Sequence, residues 1–170
     1  MDSRIRGNDE YIMLRFSSSQ FQKIIDQGLA GKPLEICGLL AGRRSADSAL
    51  QESTFAEVLE IYPIDSEDQS EKTYTLNPLQ QLRAEKAAAA KGMEIIGIYH
   101  THPATQPYPS PTDVKRAHWG DTDDLMYPDY SFLIVSLRQP ETPEPRSFYI
   151  RGARIPEDIV EEEVVITPDA

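Results

Sequence analysis

Cysteine is nearly absent: Cys37 is the single one in 170 residues. An internal disulfide is therefore excluded, and a reducing compartment fits. No apolar run approaches the roughly eighteen residues of a membrane span, and no basic stretch leads into an apolar one as in a secretory signal. A cytoplasmic protein with no membrane partner is expected. Positive charge is also scarce: 17 Lys and Arg against 28 Asp and Glu leave a net charge of −11. A broad basic face for a phosphate backbone is therefore not expected, nor is a nucleic-acid partner. Nor does HExxH occur, which removes the zincin arrangement.

What is present describes one globular domain: 39% hydrophobic and 26% charged residues fit a chain that buries a core. The polar opening "MDSRIRGNDEY" reads as a flexible extension over residues 1–12, with the domain spanning 13–170. "IMLRFSS" reads as a strand. "SSSQFQKIIDQGLAGKP" reads as a helix with a serine cap and Gly31 as its stop, and "EICGLLAG" as a buried strand. The polar "RRSADSALQES" is expected as a loop, "TFAEVLEIYPI" as the second arm of a hairpin, and "TYTL" as a brief strand. Asn77, Pro78 and Gly92 bracket a helix in "NPLQQLRAEKAAAAKG". The strand "MEIIGIYHTH", the short helix "SPTDVKRAHW" and the strands "YSFLIVSL", "RSFYIRG" and "EEEVVI" follow. Strands and helices mix without regular βαβ alternation. The expected fold is a single-domain α/β sandwich, its mixed, largely antiparallel curved sheet flanked by helices, rather than a barrel.

Chemistry concentrates in "HTHPATQPYPSPTD". His100 and His102 stand two apart on a strand, so their side chains share one face and both imidazoles can reach one ion. A hydrogen-bonded histidine pair at a strand end is the plain alternative. Asp113 also has a plain role, favouring the positive end of a helix capped by Ser110 and begun by Pro111. The two roles are compatible, because a capped helix start would hold Asp113 towards the histidines. Two histidines and one aspartate would leave a fourth tetrahedral position for water, as in a catalytic zinc site.

His100-x-His102, seven residues, Ser110, two residues and Asp113 resemble the signature of JAMM metalloproteases, the catalytic branch of the MPN-domain family. "PLEICGLLAG" is similar to the family's upstream strand and places Glu35 where the family carries a glutamate. The resemblance runs from about Met13 to Ile166 and implies an MPN, cytidine-deaminase-like fold. It implies one Zn2+ per chain on His100, His102 and Asp113, with Glu35 as general base and Ser110 as oxyanion donor. It also implies hydrolysis of a peptide or isopeptide bond after the C-terminal glycine of a ubiquitin-like protein. Compact stand-alone bacterial members of this length favour a ThiS- or MoaD-like sulfur carrier ending in Gly-Gly.

Rival readings remain at this point: a non-catalytic MPN scaffold binding protein partners, a deubiquitinase-like isopeptidase, and an iron oxygenase of cupin type, since two histidines and a carboxylate also suit iron. A (β/α)8 amidohydrolase needs about 250 residues, and Ala104 breaks the HxHxDH of metallo-β-lactamases. A homodimer is left open. Cys37, in an apolar run, is expected to pack rather than react. His118 is expected to face solvent or pack, and Trp119 either to line the substrate site or to join the core. The acidic runs "DSEDQSE" and "PEDIVEEE" read as solvated surface.

Overall fold

A computed structural model of the chain describes residues 5–6, 10–47 and 53–169. The order of elements is β1 (Ile5–Arg6), β2 (Glu10–Ser17), α1 (Ser18–Gly31), β3 (Cys37–Asp47), β4 (Ser53–Ile64), α2 (Pro78–Ala90), β5 (Glu94–His102), α3 (Pro111–Arg116), β6 (Ser131–Ser136), β7 (Glu144–Ile150) and β8 (Ile159–Thr167). Of the extension expected over residues 1–12, Ile5–Arg6 and Glu10–Ile12 are strand, and the rest lies outside the described residues.

The helices begin where side chains satisfy their free amides. Ser17 and Gln20 form a reciprocal capping box on α1, which buries Phe21 and Ile24. The Asn77 side chain accepts from Gln80 N–H at the start of α2. Gly92 ends the turn after α2 with φ of 73°, a left-handed conformation that favours glycine.

The strand order β1-β2-β4-β3-β5-β6-β7-β8 carries one further pairing, β2 with β8. This closes β2 through β8 into a seven-stranded ring and corrects the expectation of an open sandwich sheet. The mixed character holds: β2 runs parallel to β4 and β8, and β5 to β6, while the other neighbours are antiparallel. Closure gives both edges of β2 a hydrogen-bonded partner, which an open sheet cannot do.

A second correction concerns "RRSADSALQES". Arg43–Asp47 pair with Ser53–Glu57 as the outer arms of the β3–β4 hairpin, and residues 48–52 lie outside the described residues. Arg44 anchors this polar stretch, donating to the Ile96 and Asp129 carbonyls and lying over the Tyr149 ring. "TYTL" forms no strand, and only the isolated bridge Ser66↔Leu76 marks that segment.

Alternation along β5, shifted once by a bulge at Ile96, separates two cores. Ile96 and Tyr99 join Leu14, Phe16, Phe21, Ile24 and Leu133 in the cluster under α1. Ile98 joins Cys37, Leu39, Ala84, Val114 and Phe132, the cluster that receives α2 and α3. His100 and His102 continue the Ile98 parity, which delivers both imidazoles to the α3 side. No helix among the described residues is long and apolar enough to cross a membrane.

Candidate metal centre

β5 supplies two of the site's side chains and α3 the third. His100 and His102 are buried at 1% and 4% exposure, and Asp113 at 8%. His100 Nε2 and His102 Nε2 stand 3.0 Å apart, and Asp113 Oδ2 lies 3.3 and 3.4 Å from them. The start of the loop after β5 is tied to the end of β6: Ser136 Oγ donates to the Thr105 carbonyl and Leu137 N–H to that of His102.

The hydrogen bonds fix the state of one ring. His102 Nδ1 lies 2.7 Å from the Gln106 carbonyl, which can only accept, so Nδ1 carries the proton, and in the neutral ring Nε2 presents a lone pair. Burial holds the His100 imidazole below its usual pKa, although Asp113 pulls the other way. For His102, burial is outweighed by the bonds to Asp113 and Gln106, and its pKa is raised. Burial would raise Asp113, but the charge of His100 and the bonds from both histidines and Ser110 hold its carboxyl well below the usual range.

With both rings neutral, these three atoms share at most one proton, that of His100, which is too few to link them all. Ligand atoms about 2.0–2.1 Å from a tetrahedral zinc stand about 3.3 Å from one another. The two histidine–aspartate separations match that edge, and the His–His separation is slightly tighter. These ligand atoms form a group with the reach to hold one ion. The donor set fits zinc.

Ser110 caps α3: its Oγ accepts from Asp113 N–H at 3.0 Å, and its own N–H donates to Asp113 Oδ2 at 2.9 Å. The cap engages a lone pair of Oγ and leaves its O–H free to donate. Glu35 sits two residues before β3. Its N–H donates to the Ser70 carbonyl, while Ile36 and Thr101 bond each other, which holds Glu35 beside the end of β5. Its side chain is 5% exposed and Oε1 has no hydrogen-bond partner among the described residues. Burial pushes its carboxyl up to about 8, against the pull of His102 and with the push of Asp113. A carboxyl so placed titrates near the pH at which a proton must be taken and returned.

A cleft of about 690 Å³ opens alongside, lined among others by Tyr74, Leu76, Ile98, Asp113, His118 and Tyr127. The other expectations resolve as follows. Cys37 is fully buried, its thiol pushed up to about 12 by burial, and it packs. His118 is buried with Nδ1 2.7 Å from the Val114 carbonyl, so it packs rather than facing solvent. Trp119 is 57% exposed, which removes it from the core. Within "PEDIVEEE", Glu162 is 1% exposed and accepts from Ser147 Oγ at 2.7 Å, which corrects the reading of that run as solvated. Three neighbours of the site were not legible in the sequence: Gln106, whose carbonyl orients His102, Tyr74, stacked on His100, and Arg116. Gln106 acts through its backbone, and Tyr74 lies in a segment with no periodicity, so no residue pattern pointed to either.

A family model described as prokaryotic homologs of the JAB domain matches residues 17–151. The CysO-cysteine peptidase of Mycobacterium tuberculosis is 32% identical over 128 residues, covering 75% of this chain and 76% of that protein. The desampylase of Haloferax volcanii is 32% identical over 112 residues, 65% of this chain and 68% of that protein. A solved structure of a Desulfitobacterium hafniense protein superimposes with a TM-score of 0.73 at 31% identity, covering 93% of this chain and 94% of that one.

Proposed function

The chain belongs to the prokaryotic JAB-domain family of hydrolytic enzymes, and from that premise we propose that it is a zinc peptidase. The bond cleaved is the one following the C-terminal glycine of a small ubiquitin-like carrier. The observation that carries this reading is the convergence of His100, His102 and Asp113 beside a buried Glu35 whose Oε1 has no partner among the described residues. A purely scaffolding domain has no use for a desolvated carboxyl at that place. The names of the relatives, one a peptidase acting at a CysO–cysteine junction and one a desampylase, support a carrier conjugate as substrate. The catalytic domain is taken as residues 13–170, working in the cytoplasm.

Zinc on the three ligands would lower the pKa of a coordinated water from 15.7 to about 7 and polarise the carbonyl to be attacked. Glu35 takes a proton from the attacking water and returns it to the departing amine. Ser110 donates its free O–H to the carbonyl oxygen as negative charge builds there. The tail of the carrier lies extended in the cleft. Its main chain finds hydrogen-bond partners on the walls of the cleft. The loop 103–110, with prolines at 103, 107 and 109, joins the two histidines to Ser110 through a stiffened backbone, while the 74–76 segment and α3 wall the cleft itself. A side chain on the terminal glycine would crowd that passage.

The test is incubation of the purified protein with a Gly-Gly-ended carrier joined to cysteine or lysine, read by mass spectrometry. Wild type should release the amine. Glu35→Gln should retain zinc and lose at least about a hundredfold in rate, the scale of a missing general base. Equal turnover by that variant removes Glu35 from the mechanism, and equal turnover of a carrier with a bulky last residue removes the glycine-tail reading.

A further inference from the structure

The two histidines are held in different ways. His102 donates to a carbonyl, the usual second support of a ligating imidazole. His100 has no such support: its Nδ1 is buried without a hydrogen-bond partner among the described residues. What faces its ring is Tyr74, stacked at 4.4 Å between centroids and 28° between planes. Tyr74 itself belongs to no helix or strand. The segment from Asp65 to Asn77 is tied down by few backbone bonds, among them Glu67 N–H to Thr75 O, Asn77 N–H to Asp65 O and Glu35 N–H to Ser70 O.

One side chain gathers that segment. Arg116 Nη1 donates to Asp68 Oδ2 at 2.6 Å, to the Tyr74 carbonyl at 2.6 Å and to Thr75 Oγ1 at 2.9 Å. Thr73 Oγ1 donates to the same Asp68 oxygen at 2.8 Å. Arg116 sits on α3 three residues after Asp113, so the helix that presents the aspartate also grips the segment that braces His100.

We propose that Arg116 is a positioning residue for the metal centre, acting through Tyr74: it pins residues 68–75 so that the Tyr74 ring fixes the orientation of His100. The proposal rests on the zinc reading above. It makes the Tyr74 ring the stand-in for the missing hydrogen bond to His100, and it makes Arg116 the link between two ligands on separate elements. Because Tyr74, Thr75 and Leu76 also line the cleft, the same grip sets the position of one cleft wall. All three bonds come from the single nitrogen Nη1, so a lysine ammonium, with three donors on a shorter side chain, restores the grip only in part.

The test is zinc affinity by chelator competition in wild type, Arg116→Met, Arg116→Lys, Tyr74→Leu, Tyr74→Phe and the Arg116→Met/Tyr74→Leu double variant. Amide exchange of the same metal-free proteins is followed alongside. Arg116→Met and Tyr74→Leu should each weaken zinc binding about tenfold or more, the scale for lost support of a ligand. Tyr74→Phe, which keeps the stacked ring, should retain wild-type affinity, and Arg116→Lys should fall between. The double variant should bind no more weakly than Tyr74→Leu alone, because both changes remove one support. Exchange at Glu35, Glu67 and Asn77 should accelerate in Arg116→Met while β5 and β6 amides hold. Wild-type affinity in Arg116→Met, strictly additive losses, or acceleration spread evenly over the strands would each overturn the proposal. If wild type takes up no zinc, the reading of the site falls, and the exchange data still judge the grip on residues 68–75.

Discussion

Ser110 serves two purposes with one hydroxyl. Its lone pair caps α3 and its proton is available to substrate, so a simple deletion confounds stability with chemistry. Two substitutions separate them. Ser110→Ala should cost about 1 kcal/mol of helix stability, whereas Ser110→Gly should cost only a few tenths of a kcal/mol. Both should lower kcat by about 10²–10³, the effect of removing one oxyanion donor. Thermal melts paired with turnover check this, and a Ser110→Gly enzyme at wild-type kcat would confine the residue to its capping role. Glu35 shows a related economy. The burial that pushes its carboxyl up to about 8 is destabilising for a charge but suits a group that exchanges a proton near neutral pH.

At the scale of elements, the strand β5 and the start of α3 are legible in the sequence, although α3 ends at Arg116, short of the expected Trp119. An apolar run ending in His-x-His gives a strand with both imidazoles on one face. Ser-Pro-x-Asp gives a capped helix start, and the structure shows both. Local patterns suffice there because each depends on neighbours within four residues. β8 was legible as a strand but not in its environment. Its acidic residues suggest solvent, yet register against β7 sets Glu162 opposite Ser147 in the interior. Burial raises the pKa of Glu162, against the hydrogen bond from Ser147 and the charge of Arg44. The folded protein thus holds a proton there more tightly than the unfolded chain. The stability this gives is fully present below the ordinary value of 4.5 and is lost as pH rises towards the folded pKa. Glu162→Gln, fixed in the neutral form, should therefore melt increasingly above wild type as pH climbs from 4.5, and a gap that stays constant between pH 4.5 and 8 would refute it. The hairpin arms around Arg44 escaped detection for a similar reason: their strand character comes from pairing and from the Tyr149 ring, neither of them local in sequence.

At the scale of the whole molecule, closure of the ring is the feature that sequence patterns could not reveal. The residues of β2 and β8 that pair lie some 150 positions apart, as in Met13↔Glu163, and no local signal links them. Closure brings β2 and β8 together beside α1 and leaves the α2–α3 side for the cleft. There the site assembles from four separate stretches: residue 35, the 65–77 segment, β5 and α3. Two histidines and one carboxylate gather there, and among the described residues Asp113 forms ion pairs only with His100 and His102. X-ray absorption on the zinc-loaded protein tests this most directly. The predicted result is one zinc per chain in a four-coordinate shell of nitrogen and oxygen at about 2.0–2.1 Å, with two imidazoles that fall to one in His102→Ala. Zinc bound through sulfur at about 2.3 Å, or a shell unchanged by His102→Ala, would contradict it.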